Sequence, residues 1–411
     1  MKVISLFTGA GGLDLGLEAA GFDIAVCVEN DSDSKRSLKK NRPRWKLMEP
    51  GDIHQHSPQE ILQAAQIRPR EAYVLSAGPP CQPFSKAAMW ANCQIPGYWD
   101  ARGRILKAMM RVIAAALPRF IILENVEALG QSGKNGGFRM LRRGMENINR
   151  LHGTKYRWNV LNINAADYGV PQVRKRLFFI ADREGRTFLP PGQTHFPPRL
   201  GQYGGTYATA WQAIGDLDTK NQDPRLSPRG KWRDLIASIP EGHNYLWHTS
   251  RGAGLPLFGW RTRYWSFLLK LDKNRPSWTI PASPGPATGP FHWANRMLSI
   301  RELLRLQAFP DDYDISGSYL SGRRQIGNAV PPLVAEVLGL EIRRQWLGDR
   351  IEHKFVFLPR RVDKKPTHSR VHRVPEKFLE LAGIHRDHPG HGRGPRAMRQ
   401  KEEQASREEP R

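Results

Sequence analysis

A single cysteine lies in an unusual setting in the sequence. Cys81 stands in the run GPPCQPFS (78–85), where two prolines precede it and a third, Pro83, follows Gln82. Prolines of this kind fix a loop rather than fill a core, so we expect Cys81 to be accessible. A thiolate is a nucleophile, and Cys81 is therefore a candidate for covalent catalysis. Cys27, in the middle of an apolar run, is instead typical of a cysteine buried in a core.

Acidic and basic side chains that could assist such a nucleophile follow later in the chain. Glu124 ends the apolar run FIILE, where burial would raise the pKa of its carboxyl group and allow it to share or donate a proton. In QVRKR, the side chains of Gln172, Arg174 and Arg176 alternate onto one face of a predicted strand. These guanidinium groups are candidates for binding a substrate, although the same pattern is also typical of a solvated basic face.

A glycine-rich turn near the N-terminus has the composition of a nucleotide site. The turn LFTGAGG lets the backbone approach a ligand closely through Gly9, Gly11 and Gly12. Glu29 ends the next apolar run and could hydrogen-bond both hydroxyls of a ribose. Asp14 stands where the third glycine of the dinucleotide motif belongs, which favours S-adenosylmethionine over NAD. Asp52, in PGDIHQ, could bind an adenine amino group. A glycine turn without a ligand stays the alternative.

Strands that alternate with helices would position these residues. Short apolar runs predict strands at 2–7, 22–28, 73–77, 120–126 and 177–182. Apolar residues at helical spacing predict helices at 13–21, 103–117, 298–310 and after GNAVPP (327–332). This alternation argues for an α/β fold with a doubly wound, mostly parallel sheet. Such sheets bind ligands at the carboxyl ends of their strands, where Cys81 and Glu124 lie.

The composition divides the chain into parts. Residues 187–293 are rich in Pro, Gly, Trp, Tyr and Arg, which predicts a smaller, loop-rich domain with irregular β-structure. The periodic sequence predicts a larger catalytic and cofactor-binding domain over 1–186, to which the chain returns at 294–349. Residues 350–411 are basic and poor in apolar side chains, and we expect a tail there that is largely disordered or only locally helical.

The overall composition limits the class of partner. The 411 residues carry a net charge of +24, an excess that favours a polyanionic partner such as nucleic acid. The three cysteines show no metal-binding spacing and cannot form a disulfide framework, which indicates a reducing compartment. No apolar run is long enough for a signal peptide or a membrane span. We therefore expect a cytoplasmic protein without a membrane partner.

A series of short motifs stands in order along the chain. They are LFTGAGG (6–12), EN (29–30), GDI (51–53), GPPCQPFS (78–85), DARG (100–103), ENV (124–126), QVRKR (172–176), RELLRLQAFP (301–310) and GNAVP (327–331). In this order they resemble the motif set of the DNA cytosine-5 methyltransferases of bacterial restriction-modification systems. The resemblance implies a Rossmann-like, class I methyltransferase fold. It also implies methyl transfer from S-adenosylmethionine to C5 of a cytosine flipped out of double-stranded DNA.

The same resemblance implies roles for individual residues. The thiolate of Cys81 would attack C6 of cytosine and form a covalent adduct, and Glu124 would hydrogen-bond N3 and the exocyclic amine. Arg176, together with Arg174, would hold the base carbonyl, and no step needs a metal. The residues implied at the S-adenosylmethionine site are Phe7, Gly9, Gly11, Glu29, Asp52, Ile53, Pro80, Asp100 and Asn328.

Residues 187–293 would be the target-recognition domain. The residues expected to contact DNA, there and beside the nucleophile, are Gln82, Ser85, Arg261, Arg263, Lys270 and Thr279. Their basic groups would position phosphates, and some would reach guanine edges. We expect Trp260, Tyr264 and Trp265 to form the core of this domain. The tail would add non-specific, salt-sensitive attraction, so deletion of residues 350–411 should leave the choice of sequence unchanged.

Two other functions stay open. A tRNA cytosine-5 methyltransferase shares most of these motifs, although the long variable segment between QVRKR and RELLRLQ weighs against it. A decayed relative that binds DNA without catalysis is the second, and the intact Cys81 and Glu124 argue against it. The expected partners are double-stranded DNA and a restriction endonuclease encoded alongside. We expect a monomer that works at the bacterial nucleoid.

Overall fold

The computed structural model of the protein describes residues 1–80, 98–125, 136–198, 205–218, 223–351, 354–359, 362 and 367–387, with the backbone alone for 98–102, 136 and 137. The chain divides into two compact units. Unit 1 comprises Met1–Asp218, Pro276–Ser283 and Ile300–Asp363, and unit 2 comprises Thr219–Arg275, Pro284–Ser299 and Lys364–Arg411.

A six-stranded sheet forms the centre of unit 1. Its strands are β1 (Lys2–Leu6), β2 (Asp23–Val28), β3 (Val74–Ala77), β4 (Phe120–Asn125), β5 (Asn159–Asn164) and β7 (Lys175–Asp182). They stand in the order β2-β1-β3-β4-β7-β5. The first four are parallel to one another, and β7 is antiparallel to β4 and β5. The prediction of a mostly parallel sheet is confirmed.

Shorter strands and the helices surround this sheet. The two-residue strands are β6 (Gln172–Val173), β8 (His195–Phe196), β9 (Gly205–Thr206) and β10 (Ser277–Trp278). The α-helices are α1 (Gly12–Ala19), α2 (Ser32–Asn41), α3 (Pro58–Ala64), α4 (Tyr98–Ala116), α5 (Gly136–His152), α6 (Ala210–Ile214), α7 (Ile300–Leu306), α8 (Tyr319–Asn328) and α9 (Pro332–Ile342). The sequence reasoning did not predict α2, α3, α5, α8 or β5.

Helices cover both faces of the sheet because successive strand residues point to opposite sides. Ile4, Leu75 and Ile121 lie in one apolar cluster with side chains of α3, α4 and α5. On the other face, Ser76 donates a hydrogen bond from Oγ to Asp14 Oδ1 of α1 (2.9 Å), and α1 packs against α9. The central strands β3 and β4 are buried throughout, as the continuous apolar runs indicate.

Unit 2 is made of short 3-10 helices and isolated β-bridges in the part that is described. The 3-10 helices are Pro224–Leu226, Arg233–Ser238, Tyr245–His248 and Glu376–Leu381. Its core consists of Leu235, Ile236, Ile239, Tyr245, Leu257, Phe258, Phe267, Leu268, Phe291 and Phe378. Its boundaries differ from the predicted 187–293, since residues 187–218 belong to unit 1 and the C-terminal residues from Lys364 belong to unit 2. The pairing of β10 with β6 attaches Pro276–Ser283 to unit 1 as well.

Two stretches of the predicted tail are folded. In unit 1, the N–H groups of Val356 and Phe357 donate to the carboxylate of Glu336 at 2.7 and 3.1 Å. In unit 2, Phe378 is 5% exposed and belongs to the core. The expectation of a disordered tail is therefore wrong for 354–359 and 367–387, because a few apolar side chains suffice to anchor each stretch. Across the described ranges, no helix is long and apolar enough to cross a membrane.

Candidate active site

A cavity of about 850 Å³ lies at the carboxyl ends of β1, β3 and β4 in unit 1. Of the residues predicted to bind the cofactor, those that line this cavity are Phe7, Gly9, Glu29, Asp52, Ile53, Pro80 and Asn328. Glu124, predicted to bind the base, lines it as well. The fold thus brings together in one cavity residues that are as much as 321 positions apart in the sequence.

The glycine turn between β1 and α1 is packed tightly on one side. Gly9 and Gly11 have φ angles of +58° and +73°, in the left-handed region that favours glycine. A Cβ atom on Gly12 would lie 2.1 Å from the backbone oxygen of Val330, and one on Gly11 would lie 2.8 Å from Leu38. A Cβ atom on Gly9 would meet no described atom within 4 Å, and Gly9 lines the cavity. The turn is therefore open on the cavity side.

Glu29 holds this turn from the end of β2. One carboxylate oxygen accepts the N–H of Gly9 at 2.7 Å, and the other accepts the N–H of Asp31 at 2.7 Å. Burial raises the pKa of this carboxyl group, and the two backbone hydrogen bonds oppose the shift. Each carboxylate oxygen can accept a second hydrogen bond, so Glu29 can also accept hydroxyl groups of a ligand.

Apolar side chains form another part of the cavity wall. Asp52 accepts the N–H of His54 at 2.9 Å and so caps the 3-10 helix Ile53–Gln55, which presents the buried Ile53 to the cavity. Phe7 has φ +57°, an uncommon backbone conformation for a residue other than glycine. Its N–H donates to Val28 O at 2.8 Å, which fixes this strained position beside the cavity.

The sequence reasoning missed several residues of this cavity as site residues, and Asp14 and Arg324 are two of them. Asp14 is 1% exposed, and burial raises the pKa of its carboxyl group to about 7. Arg324, on α8, donates from Nη2 to Asp31 Oδ2 at 2.8 Å at the cavity edge. A carboxyl group between leucines on a buried helix is the signal that could have identified Asp14. No local pattern indicates Arg324, because its partner lies in a distant part of the chain.

Glu124 and Arg176 form an ion pair at the edge of the cavity. Arg176 Nε lies 3.0 Å from Glu124 Oε1, with 17% and 11% of the two side chains exposed. The antiparallel pairing of β4 and β7 places the start of β7 beside the end of β4, which brings the two residues together. Burial raises the pKa of the Glu124 carboxyl group, and the charges of Arg176 and Arg174 lower it.

The position of Arg174 differs from the prediction. Arg174 is 1% exposed, and its Nη2 donates to Gly327 O at 2.8 Å and to Ala329 O at 2.9 Å. These carbonyl groups flank Asn328, which lines the cavity. The buried guanidinium group therefore positions the chain around Asn328, instead of holding the carbonyl group of a base.

The predicted nucleophile is not among the described residues. Cys81, Gln82 and Ser85 lie outside the described ranges, and of Asp100 only the backbone, in α4, is described. Pro80, which precedes Cys81 directly, lines the cavity. Cys27 is buried on β2, as expected for a core cysteine.

The residues predicted to contact DNA have different surroundings. Arg261 and Arg263 are exposed in unit 2, and Thr279 is exposed in unit 1, where its Oγ1 donates to Val173 O at 2.8 Å. The prediction for Lys270 is corrected, because this side chain is 2% exposed and its ammonium group donates to Ile239 O. Burial lowers the pKa of Lys270 to about 8.

The aromatic residues beside these arginines also differ from the prediction. Tyr264 and Trp265 are 51% and 54% exposed, so they do not form the core of unit 2. Phe258 and Phe267 occupy the core instead. The apolar side chains of this segment are therefore divided between the core and the surface, which composition alone does not reveal.

Solved structures of other proteins have the same fold. One is a putative DNA modification methyltransferase from a prophage of E. coli, with a TM-score of 0.55 and 22% identity over 85% of this chain and 100% of that chain. Another is the DNMT2 protein of Spodoptera frugiperda, with a TM-score of 0.56 and 16% identity over 83% of this chain and 99% of that chain. The fold is that of the class I S-adenosylmethionine-dependent methyltransferases.

Sequence comparisons identify the family within this class. The model of the C-5 cytosine-specific DNA methylases matches residues 1–344. The Type II methyltransferase M.SacI of Streptomyces achromogenes is 33% identical over 365 residues, which cover 82% of this chain and 91% of that protein. M.NgoFVII of Neisseria gonorrhoeae is 33% identical over 338 residues, or 80% of this chain and 83% of that protein. The chain belongs to the C-5 cytosine-specific DNA methylase family, as its motifs predicted, and is a DNA (cytosine-5-)-methyltransferase of the Type II, restriction-modification kind.

Proposed function

We propose that the protein transfers a methyl group from S-adenosylmethionine to C5 of a cytosine that is flipped out of a specific double-stranded DNA sequence, through a covalent bond between Cys81 and C6. One observation carries the proposal. A single cavity is lined by Gly9 and Glu29 at the glycine turn, by Glu124 and by Pro80, the residue before Cys81. Binding of the cofactor and chemistry on the base would thus share one space.

The composition of the cavity wall supports a cationic adenosine ligand. When bound, S-adenosylmethionine supplies a methyl group carried on a positively charged sulfur. The carboxylate groups of Glu29, Asp31 and Asp52 at the wall favour a ligand of this charge. Glu29 would accept the ribose hydroxyl groups, and Asp52 would accept the adenine amino group. Phe7 and Ile53 would cover the faces of the adenine ring.

Three side chains would act on the base. The thiolate of Cys81 adds to C6, and the electron pair of the C5–C6 double bond moves so that C5 becomes nucleophilic. Glu124, whose pKa is raised by burial, hydrogen-bonds N3 and the exocyclic amine and offsets the charge that develops there. Arg176 holds the Glu124 carboxyl group and reaches the base carbonyl. C5 would then form a bond to the methyl group while the bond from that group to sulfur breaks and its electron pair stays on sulfur. Loss of the C5 proton to a base and departure of the thiolate from C6 would restore the double bond.

We also propose the setting in which this reaction takes place. A Type II methyltransferase protects the sequence that a restriction endonuclease cleaves, so we expect such an endonuclease to be encoded alongside. The substrate places the protein in the bacterial cytoplasm at the nucleoid. We expect a monomer.

The experiment that tests the reaction incubates the full chain with plasmid DNA and methyl-labelled S-adenosylmethionine, followed by bisulfite sequencing. We expect label in the DNA and protected cytosines in one recurring sequence. Cys81→Ser should retain cofactor binding and lose at least about a thousandfold in turnover. Cys93→Ser, which removes a thiol from the same part of the chain, is the matched control. Turnover of Cys81→Ser near that of the control would contradict the nucleophile assignment.

Two further experiments distinguish this function from a tRNA methyltransferase and from a non-catalytic DNA-binding protein. Duplex DNA and tRNA compete as methyl acceptors, and label in the tRNA alone would identify an RNA methyltransferase. A duplex with 5-fluorocytosine at the target position should trap the covalent adduct. In this base, C5 carries fluorine in place of the hydrogen that must be removed as a proton before the thiolate can leave. The trapped complex should appear on a denaturing gel with the wild type and be absent with Cys81→Ser. DNA binding without any transfer of label would indicate a non-catalytic relative.

A further inference from the structure

Residues 367–387, here called the C-terminal segment, are built into unit 2. The Phe378 ring lies in the core of this unit and stacks on Trp232, with the ring centroids 5.6 Å apart and an interplanar angle of 13°. The backbone is bound as well, since the N–H of His372 donates to Ala237 O at 3.0 Å. The segment thus belongs to the same folded unit as Arg261 and Arg263, two of the residues predicted to contact DNA.

A buried ion pair joins the beginning of the segment to unit 2. Lys273 Nζ lies 3.1 Å from Glu241 Oε1, and the two side chains are 6% and 7% exposed. Lys273 also donates to Thr367 O at 2.6 Å and to Ser369 Oγ at 3.0 Å, and the N–H of Ser369 donates to Glu241 at 2.8 Å. A buried ion pair needs such additional hydrogen bonds to offset its desolvation. The segment supplies them.

Residues 258–266, here called the arginine-aromatic loop, carry the exposed basic and aromatic groups of this region. Arg261 and Arg263 are exposed, and Tyr264 and Trp265 are about half exposed. Guanidinium groups bind phosphates and guanine edges, and exposed aromatic rings supply contact area, so this surface is suited to duplex DNA. Arg261 has φ +59°, a conformation that persists only when neighbouring contacts hold it.

The end of the C-terminal segment supplies such a contact. Asp387 Oδ1 accepts the N–H of Trp260 at 2.7 Å, and Oδ2 accepts Arg251 Nη2 at 3.0 Å. The Arg251 guanidinium group in turn lies 4.8 Å from the centroid of the Trp260 ring. The backbones approach closely beside this contact, since a Cβ atom on Gly259 would lie 2.1 Å from Arg386 O. Asp387 therefore holds the loop at the residue directly before Arg261.

We propose that Asp387 is a positioning residue for target recognition, because it holds the arginine-aromatic loop in the conformation that presents Arg261 and Arg263 to duplex DNA. The proposal rests on the proposed function, methylation of a specific DNA sequence, and on the prediction that the region around Arg261 and Arg263 recognises that sequence. It replaces the expectation that deletion of residues 350–411 leaves the choice of sequence unchanged. Residues 388–411 would contribute charge, whereas the C-terminal segment would contribute selectivity.

The test measures DNA binding without methyl transfer. The full chain selects duplexes from a randomised pool, and the affinity ratio between the selected sequence and a scrambled duplex is then determined, together with the unfolding temperature. Asp387→Ala should reduce this ratio about five- to tenfold, the equivalent of one ordinary lost hydrogen bond. Gly259→Ala disturbs the same contact from the side of the loop and should reduce the ratio similarly.

Three controls separate positioning from other effects. Asp387→Asn retains an oxygen that can accept the N–H of Trp260 and should keep most of the ratio. Glu380→Ala removes one negative charge at an exposed position of the same segment and should leave the ratio unchanged. A chain truncated after residue 387 should bind with a weaker salt dependence and the same ratio.

Several outcomes would overturn the proposal. One is an unchanged affinity ratio in both Asp387→Ala and Gly259→Ala, and another is a reduction by Glu380→Ala as large as that by Asp387→Ala. The others are loss of the preference for the selected sequence on truncation after residue 387, and a wild type that selects no sequence. A wild type that selects a sequence but transfers no methyl group would instead refute the proposed function, and the proposal on Asp387 would still be decided by the binding ratios.

Discussion

Asp14 is a carboxyl group that the fold places in the first turn of α1, between the helix and the sheet. It is 1% exposed, and Ser76 Oγ donates to its Oδ1 at 2.9 Å. Burial raises its pKa from 3.8 to about 7, while hydrogen bonds with Ser5 and Ser76 oppose the shift. The folded protein therefore retains a proton on Asp14 at pH values where the unfolded chain has released it.

This proton makes the stability depend on pH in a defined direction. Because the pKa is higher in the folded state, the free energy of unfolding falls as the pH rises from about 4 to about 7. A shift of about three units, at about 1.4 kcal/mol per unit, corresponds to a total loss of about 4 kcal/mol. Such a loss is a large part of the 5–15 kcal/mol that holds a typical domain together.

Asp14→Asn removes the titration and keeps the shape of the side chain. We expect its unfolding free energy, relative to wild type, to increase by about 3 kcal/mol between pH 4.5 and pH 8. Denaturant unfolding of both proteins at both pH values measures this difference, and groups that titrate in both proteins cancel. Asp23→Asn, at an exposed position on β2, is the control for loss of one negative charge. A relative change below about 0.5 kcal/mol would show that Asp14 is not held as a buried neutral acid.

Three further substitutions test the packing described above. Phe378→Ala leaves a cavity in the core of unit 2 and should lower the free energy of unfolding, measured with denaturant, by about 3–5 kcal/mol. A change below about 1 kcal/mol would contradict the position of Phe378 in that core. Gly12→Ala places a methyl group 2.1 Å from Val330 O and should displace the turn. Calorimetry should therefore find S-adenosylmethionine binding weakened about tenfold or more, and wild-type affinity would contradict a rigid turn. Arg174→Met removes two hydrogen bonds to the chain around Asn328 and should lower the free energy of unfolding by about 3 kcal/mol. It should also weaken the binding of S-adenosylmethionine, and unchanged affinity would show that Arg174 does not position Asn328.

Local patterns in the sequence were sufficient for the central elements. The apolar runs predicted β1, β2, β3, β4 and β7, because strands buried on both faces need apolar residues at nearly every position. The glycines of LFTGAGG predicted the turn at the cavity, because positive φ angles favour glycine locally. The order of the motifs identified the family. Amphipathic α5 and edge strand β5 were missed because their exposed faces interrupt the apolar runs.

The surroundings of individual charged side chains were decided by the tertiary structure. Arg174 and Lys270 are basic residues in segments that predict ligand contacts, yet both are buried with backbone carbonyl groups as acceptors. The acceptors of Arg174 lie more than 150 residues away in the sequence, and no local pattern encodes such a partner. The C-terminal segment shows the same principle, because Phe378 has a place in a core only after unit 2 has formed it. The sequence by itself determined the central strands and the chemistry that their ends carry. The tertiary structure decided which side chains face the ligand, because burial and partners arise from contacts between distant residues.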